Sequence, residues 1–294
     1  KEGARGNTLL AFEDKPMDFE NWDLDVYYQE KCWEIDQVES IKVLENGPVR
    51  GGLEIRKRFL DSTLIQKMYI YRDLPRIDFD TYIDWKERQI LLKAAFPVDV
   101  HAEKATYEIQ FGNVERPTHW NTSWDVARFE VCAHKWADLS EDGYGVSLLN
   151  DCKYGHDIKD GVMRLTLLKS GIDPNPEADQ GEHFFTYSIY PHQGGWREAE
   201  TIKMAYNFNL PLYTKVETPH AGDLPREFSL AAPEQENVIL ETVKKAKDSD
   251  ELILRLYEGY NKRTKARINF GPELSQVAEC NLMEKGNKAI TTEG

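Results

Sequence analysis

Ile77-Asp-Phe-Asp-Thr-Tyr-Ile-Asp-Trp85 alternates between apolar and polar residues along its whole length. A period of two sets Ile77, Phe79, Thr81, Ile83 and Trp85 on one face and Asp78, Asp80, Tyr82 and Asp84 on the other. This predicts a half-buried antiparallel strand. Leu64-Ile-Gln-Lys-Met-Tyr-Ile-Tyr71 precedes it, and Arg72-Asp-Leu-Pro75 has the residues of a turn, so the two runs form a hairpin. A further strand over 53–59 joins upstream, turning at Asp61-Ser62.

The same reading predicts strands over 90–96, 105–111, 129–133, 145–149, 162–168 and 183–190, with turn residues between them. A helix is predicted over 196–207. Thr218-Pro-His-Ala-Gly-Asp-Leu-Pro225 reads as a linker. After it, 238–243 and 251–257 predict a second hairpin, with 266–270 and 276–282 completing a small sheet. The pattern predicts an all-β fold class: stacked antiparallel sheets over 1–217, followed by a small β unit over 226–294.

Composition narrows the partners. The 294 residues carry a net charge of −14, which speaks against nucleic acid or an anionic membrane surface. No apolar run approaches the ~20 residues of a membrane-spanning helix. Cys32, Cys132, Cys152 and Cys280 are scattered, with no C-x-x-C pair, as expected of a reducing, cytoplasmic setting. Lys1 in place of Met suggests the interior of a longer protein, and 285–294 reads as a frayed or truncated end.

Two polar runs stand out. Phe12-Glu-Asp-Lys-Pro-Met-Asp-Phe-Glu-Asn-Trp-Asp-Leu-Asp25 mixes carboxylates with Trp22. Carboxylates accept hydrogen bonds from hydroxyls, and an indole covers the C–H face of a pyranose. The alternative is an acidic surface loop with Trp22 plugged into the core. The second run, Asp151-Cys-Lys-Tyr-Gly-His156, is either a ligand-contacting loop or a plain turn in which Gly155 supplies a positive φ. Cys152 and His156 could share a metal only weakly, having no matching pair. In Arg116-Pro-Thr-His-Trp-Asn-Thr-Ser-Trp-Asp125, His119, Trp120 and Trp124 either rim a site or cap the sandwich. No G-x-S-x-G, H-E-x-x-H or phosphate-cradling glycine motif occurs.

Several runs together carry a family resemblance. They are Ala4-Arg-Gly-Asn7, Phe12-Glu-Asp-Lys-Pro16 with Trp22-Asp23, Arg128-Phe-Glu130, His134-Lys-Trp136, Gly145 through His156, Tyr190-Pro-His192, and Val238 through Glu258. In their order the chain resembles the C-terminal half of family 38 glycoside hydrolases, the retaining α-mannosidases, in the branch of cytosolic and vacuolar enzymes and bacterial relatives. The resemblance implies a galactose-mutarotase-like super-sandwich. It implies that the Asp nucleophile and a divalent metal, zinc or cobalt, belong to an N-terminal barrel, so that this chain holds no catalytic or metal residue of its own. It further implies a mannose-containing oligosaccharide as substrate, the barrel as partner, and a homo-oligomeric whole enzyme. The loops matching the family's sugar contacts carry Trp22, Asp23, Lys153, Tyr154 and His156. Two other readings compete. One is a stand-alone carbohydrate-binding module. The other, from fold alone, is an aldose epimerase drawing its acid from His101, His119, His134, His183 or His192.

Overall fold

In the computed structural model, which describes residues 2–223, 225–286 and 288–292, Ile77–Trp85 is one strand, with Phe79, Thr81, Ile83 and Trp85 buried as the alternation requires. In chain order the strands that follow the N-terminus are β1 (Thr8–Glu13), β2 (Cys32–Glu34), β3 (Val38–Asn46), β4 (Arg50–Phe59) and β5 (Ser62–Tyr71). Next come β6 (Ile77–Trp85), β7 (Ile90–Pro97), β8 (Lys104–Ile109), β9 (Gly112–Pro117) and β10 (Val131–Cys132). The last of this set are β11 (Trp136–Glu141), β12 (Tyr144–Asn150), β13 (Gly155–Lys159), β14 (Val162–Lys169) and β15 (Gly181–Gln193).

These strands form two antiparallel sheets. One has nine strands in the order β3-β4-β5-β6-β15-β12-β11-β8-β9, the other six in the order β10-β13-β14-β7-β1-β2. Their facing sides share one core. Leu9, Ala11, Leu92, Ala94, Phe96, Met163 and Leu165 come from the smaller sheet. Leu64, Phe79, Ile83, Trp85, Leu139, Leu148 and Tyr187 come from the larger. Phe96 crosses the gap, its ring 5.8 Å from Phe79 and 6.2 Å from Tyr187. The buried Tyr187 hydroxyl accepts from Gln66 Nε2 at 2.6 Å and donates to Asn7 Oδ1 at 2.5 Å, so its polar end is satisfied.

The predicted helix starts later than expected. A short helix, α1, spans Ser123–Val126, and the main one, α2, spans Thr201–Asn209. Residues 196–200 are turns, because Trp196 is anchored against Trp136 at 5.1 Å and Glu200 takes a left-handed φ of 51°. The segment from Trp196 through α2 covers the outer face of the nine-stranded sheet over a buried polar cluster. His192 Nε2 lies 2.8 Å from Asp138 Oδ2, and Ser147 Oγ donates to the same oxygen at 2.7 Å. Ser147 Oγ also lies 2.9 Å from Thr201 Oγ1, which ties α2 to the sheet. Strand β11 went unpredicted for this reason: its outward residues Trp136 and Asp138 are covered as fully as the inward Ala137 and Leu139, so its burial does not alternate.

The chain divides into two units, Lys1–Leu212 and Tyr213–Gly294. Residues 211–223 carry no regular structure. In the second unit β16 (Ala231–Pro233) pairs with β19 (Ile268–Phe270), and β17 (Val238–Lys245) with β18 (Leu252–Glu258). The pair β20 (Ala278–Glu279) and β21 (Lys288–Ala289) follows. Lys1, Leu224, Asn287, Glu293 and Gly294 lie outside the described residues, so the expectations for the first residue, part of the linker and part of 285–294 fall there.

Gly145 of β12 admits Ser140 and His192 close to the backbone: a Cβ there would sit 2.1 Å from Ser140 Oγ and 2.4 Å from His192 Cε1. Gly145→Ala should therefore lower stability by about 1–3 kcal/mol through overpacking. An unchanged urea midpoint would contradict this packing.

Candidate functional site

Both polar runs leave the sandwich at the same end. The antiparallel registers make β1, β6, β12 and β14 finish there and β5, β7, β13 and β15 begin there. The acidic run follows β1, and the Lys153 run joins β12 to β13.

The acidic run is strapped down at several points. Lys169 Nζ pairs with Asp14 Oδ2 and donates to the Glu20 carbonyl at 2.6 Å. The Glu20 carboxylate accepts from Gln89 Nε2 and from the Ile172 amide, each at 2.9 Å. The Asn21 amide donates to the Asp173 carbonyl at 3.1 Å. Held in this way, Trp22 is 66% exposed and stacks on Phe19 with centroids 5.6 Å apart. A Trp22 plugged into the core is thereby excluded. Asp23 is exposed, and its Oδ1 accepts from the Leu24 amide at 3.0 Å.

Behind the strap lies an open cleft of about 400 Å³ lined by Glu13, Asp14, Lys15, Asp25, Tyr27, Tyr28, Glu30 and Lys31, with Pro16 at its edge. Asp14 is 1% exposed, and its Oδ1 is buried without a hydrogen-bond partner. Burial raises its pKa above the ordinary carboxylate value, against the opposing pull of Lys169. An acceptor of this kind in a cleft of carboxylates and lysines is suited to ligand hydroxyls.

The wall of the cleft rests on a buried cation. Phe12, Tyr28 and Leu91 form a small apolar cluster on the outer face of the six-stranded sheet. Beside it the fully buried Lys93 Nζ donates to the Tyr28 hydroxyl at 3.0 Å and to Asp157 Oδ2 at 2.7 Å, and pairs with Glu130. Burial opposes its charge, but Glu130 and Asp157 outweigh that effect and hold the ammonium above its ordinary range.

The second run differs from expectation. Gly155 belongs to β13 and is not among the residues with positive φ. Its role is space: a Cβ would lie 2.6 Å from Glu130 Oε1 and 2.9 Å from Thr166 Cβ. His156 is the second residue of β13, directly opposite the core residue Leu165, and faces into the sandwich with 0% exposure. Its Nδ1 lies 3.2 Å from the Tyr154 carbonyl and its ring 6.5 Å from Tyr107. Sealed there, it is a core residue and cannot reach a sugar from this chain's surface. It cannot share an ion with the exposed Cys152 either. Tyr154 remains half-exposed, 5.1 Å from His134, and Lys153 Nζ sits 4.5 Å over the Phe185 ring. The structure thus brings Trp22, Asp23, Lys153 and Tyr154 to one end and withdraws His156.

In the other run, Trp124 is exposed on α1, and Trp120 lies under Lys159 at 3.4 Å. His119 Nδ1 is 3.7 Å from Asp125. The buried His192–Asp138 pair has the residue types of an epimerase acid and base, but it is closed off beneath α2, with side chains 2% and 1% exposed.

The C-terminal domain profile of glycosyl hydrolases family 38 matches residues 1–177, and the family's C-terminal beta sandwich domain matches 237–294. The chain belongs to glycosyl hydrolases family 38. It is 38% identical to alpha-mannosidase G of Dictyostelium discoideum, over 98% of this chain and 27% of that protein. It is 38% identical to human alpha-mannosidase 2C1, over 98% of this chain and 28% of that protein. For an alpha-mannosidase of Saccharomyces cerevisiae the figures are 32%, 97% and 28%. The chain thus spans little more than a quarter of these curated relatives. A crystal structure of an alpha-mannosidase from Enterococcus faecalis superimposes with a TM-score of 0.77 at 15% identity, over 97% of this chain and 36% of that one, and so shares the fold. The family 38 match falls on the cleft and on Lys93 alike.

Of the site residues, sequence reading missed the buried role of Asp14. The available signal was its position immediately after the alternating run of β1, where a side chain still lies against the sheet. His156 offers a pH test. Burial pushes its pKa down to about 4, below the ordinary 6.5. Between about 6.5 and 4 the unfolded chain binds a proton that the folded chain refuses, so stability falls as the pH is lowered through that window. Relative to His156→Gln, the wild type should lose up to roughly 3 kcal/mol across it. Parallel urea-stability curves for the two would contradict a neutral, sealed imidazole.

Proposed function

We propose that this chain is the sandwich part of a retaining α-mannosidase, shaping a site for terminal α-mannose while the rest of the enzyme supplies the chemistry. The observation that carries this reading is the open cleft of carboxylates and lysines that follows β1, within a family 38 C-terminal domain. Trp22 and Tyr154 offer exposed aromatic surface, and Asp23 and Lys153 offer polar contacts. In the reaction so divided, the barrel's carboxylate displaces the leaving group to form a glycosyl-enzyme, which water then hydrolyses. This chain binds, orients and screens the sugar.

The divalent metal implied for the whole enzyme, zinc or cobalt, does not fit the donors present here. Among the described residues no group of three or more His, Cys, Asp or Glu side chains could hold an ion. No step is assigned through it in this chain. A cytoplasmic setting is supported by the free cysteines at 32, 132, 152 and 280. Among the described residues no helix is long and apolar enough to cross a membrane. The whole enzyme is proposed to be a homo-oligomer, on the family resemblance.

Residues 1–294 alone should leave a chromogenic α-mannoside intact, and the chain joined to a family 38 catalytic barrel should cleave it. Hydrolysis by the isolated chain would overturn the division of labour. Calorimetry of the isolated chain with α-manno-oligosaccharides should show no binding at millimolar concentrations; saturable binding would instead support a stand-alone binding module.

A further inference from the structure

We propose that the cleft at the free edge of the six-stranded sheet, beside β13, is a binding site for a tetrahedral oxyanion: phosphate, either free or esterified to a small sugar. It lies in the first unit and is distinct in its lining from the carboxylate-rich cleft described above. Arg116, Arg128, Lys159 and Arg164 line it, with Tyr107 and Trp120 among its walls. The chain as a whole carries a charge of −14, so four cations around one depression run against the average.

Among the described residues the one carboxylate in the lining is Asp157, and both its oxygens are engaged. Oδ2 accepts from Lys93 at 2.7 Å, and Oδ1 from Arg164 Nη1 at 2.6 Å. Two guanidinium donors remain: Arg116 Nη1 and Arg164 Nε are buried without a hydrogen-bond partner. A buried N–H left unmatched is costly, so such a pair of donors is the signature of an absent acceptor.

Aromatic faces support two of these cations, and Lys159 Nζ also lies 3.9 Å from Asp160 Oδ2. The Arg116 guanidinium lies 4.7 Å over Tyr107, and Lys159 Nζ lies 3.4 Å over Trp120. Ring faces hold a cation without consuming its N–H donors. Burial lowers the pKa of Arg116 from its ordinary value, as expected of a guanidinium without a carboxylate partner. A neighbouring anion would relieve that cost.

Size and donor geometry select the ligand. The cleft measures about 20 Å³, room for one oxygen-sized group. One oxygen of the ligand enters and the rest stays at the mouth, within reach of the exposed Arg128. Three forked guanidiniums offer more donors than the two oxygens of a carboxylate can use, which favours a phosphate group. A polymeric nucleic acid would need an extended basic surface, which this acidic chain does not provide.

The test is calorimetry of the 294-residue chain in phosphate-free buffer with inorganic phosphate, a hexose 6-phosphate and the neutral hexose. Phosphate should bind saturably and more weakly as sodium chloride is raised. Arg128→Ala, whose side chain is exposed and leaves the fold intact, should weaken binding roughly tenfold. Arg116→Met should weaken it at least as much, with folding checked by urea denaturation. Equal affinity for phosphate and the ester identifies the free anion as ligand, and tighter binding of the ester identifies a sugar phosphate. The proposal falls if phosphate does not bind at millimolar concentrations, if Arg128→Ala binds as tightly as wild type, or if the neutral hexose binds as well as its ester.

Discussion

A single buried ammonium organises the outer face of the smaller sheet. Lys93 stands on β7, the central part of that sheet, and reaches Asp157 on β13, Glu130 ahead of β10 and Tyr28 in the covering segment. Three separate stretches of chain therefore converge on one atom. Taking away one member of such a buried group leaves the others uncompensated, at about 3–5 kcal/mol. Gly155 makes the arrangement possible by leaving room for the Glu130 carboxylate. Tyr28, fixed by Lys93, lines the cleft that begins at Glu13. The shape of the cleft thus depends on charges that do not line it. Asp157 extends the same network to Arg164 and so to the basic depression at the sheet edge.

Much of the architecture was legible in the sequence because one face of its hairpins is apolar and the other wet. Ile77–Trp85 is the plainest example, and the hairpin of β17 and β18 is another. Legibility failed where a second layer covers the outer face. In β11 and β13 the outward residues Asp138 and Asp157 are buried by partners distant in sequence, so alternation no longer marks the strand. The late start of α2 arose from Trp196, whose anchoring against Trp136 is a tertiary contact that helical spacing cannot show.

The site divides along the same line. The residues around Trp22 left open whether its indole is buried or exposed, and the structure leaves both Trp22 and Asp23 exposed. His156 was misread because strand β13 begins at Gly155, inside the polar run Asp151–His156. That register turns the imidazole inward, opposite Leu165. Asp14 and the orphan donors of Arg116 and Arg164 were invisible for a more general reason. Whether a charged group has found its partner is a property of space and not of spacing.

The central claim is that the strand-end surface bearing Trp22 faces the sugar in the assembled enzyme. Steady-state kinetics of Trp22→Ala, made in a polypeptide that joins this chain to a family 38 catalytic barrel and cleaves an α-mannoside, addresses it most directly. The side chain is exposed, so the unfolding midpoint should hold while kcat/KM for an α-mannoside falls about tenfold, the scale of one lost aromatic contact. Unchanged kcat and KM in that variant would contradict the account.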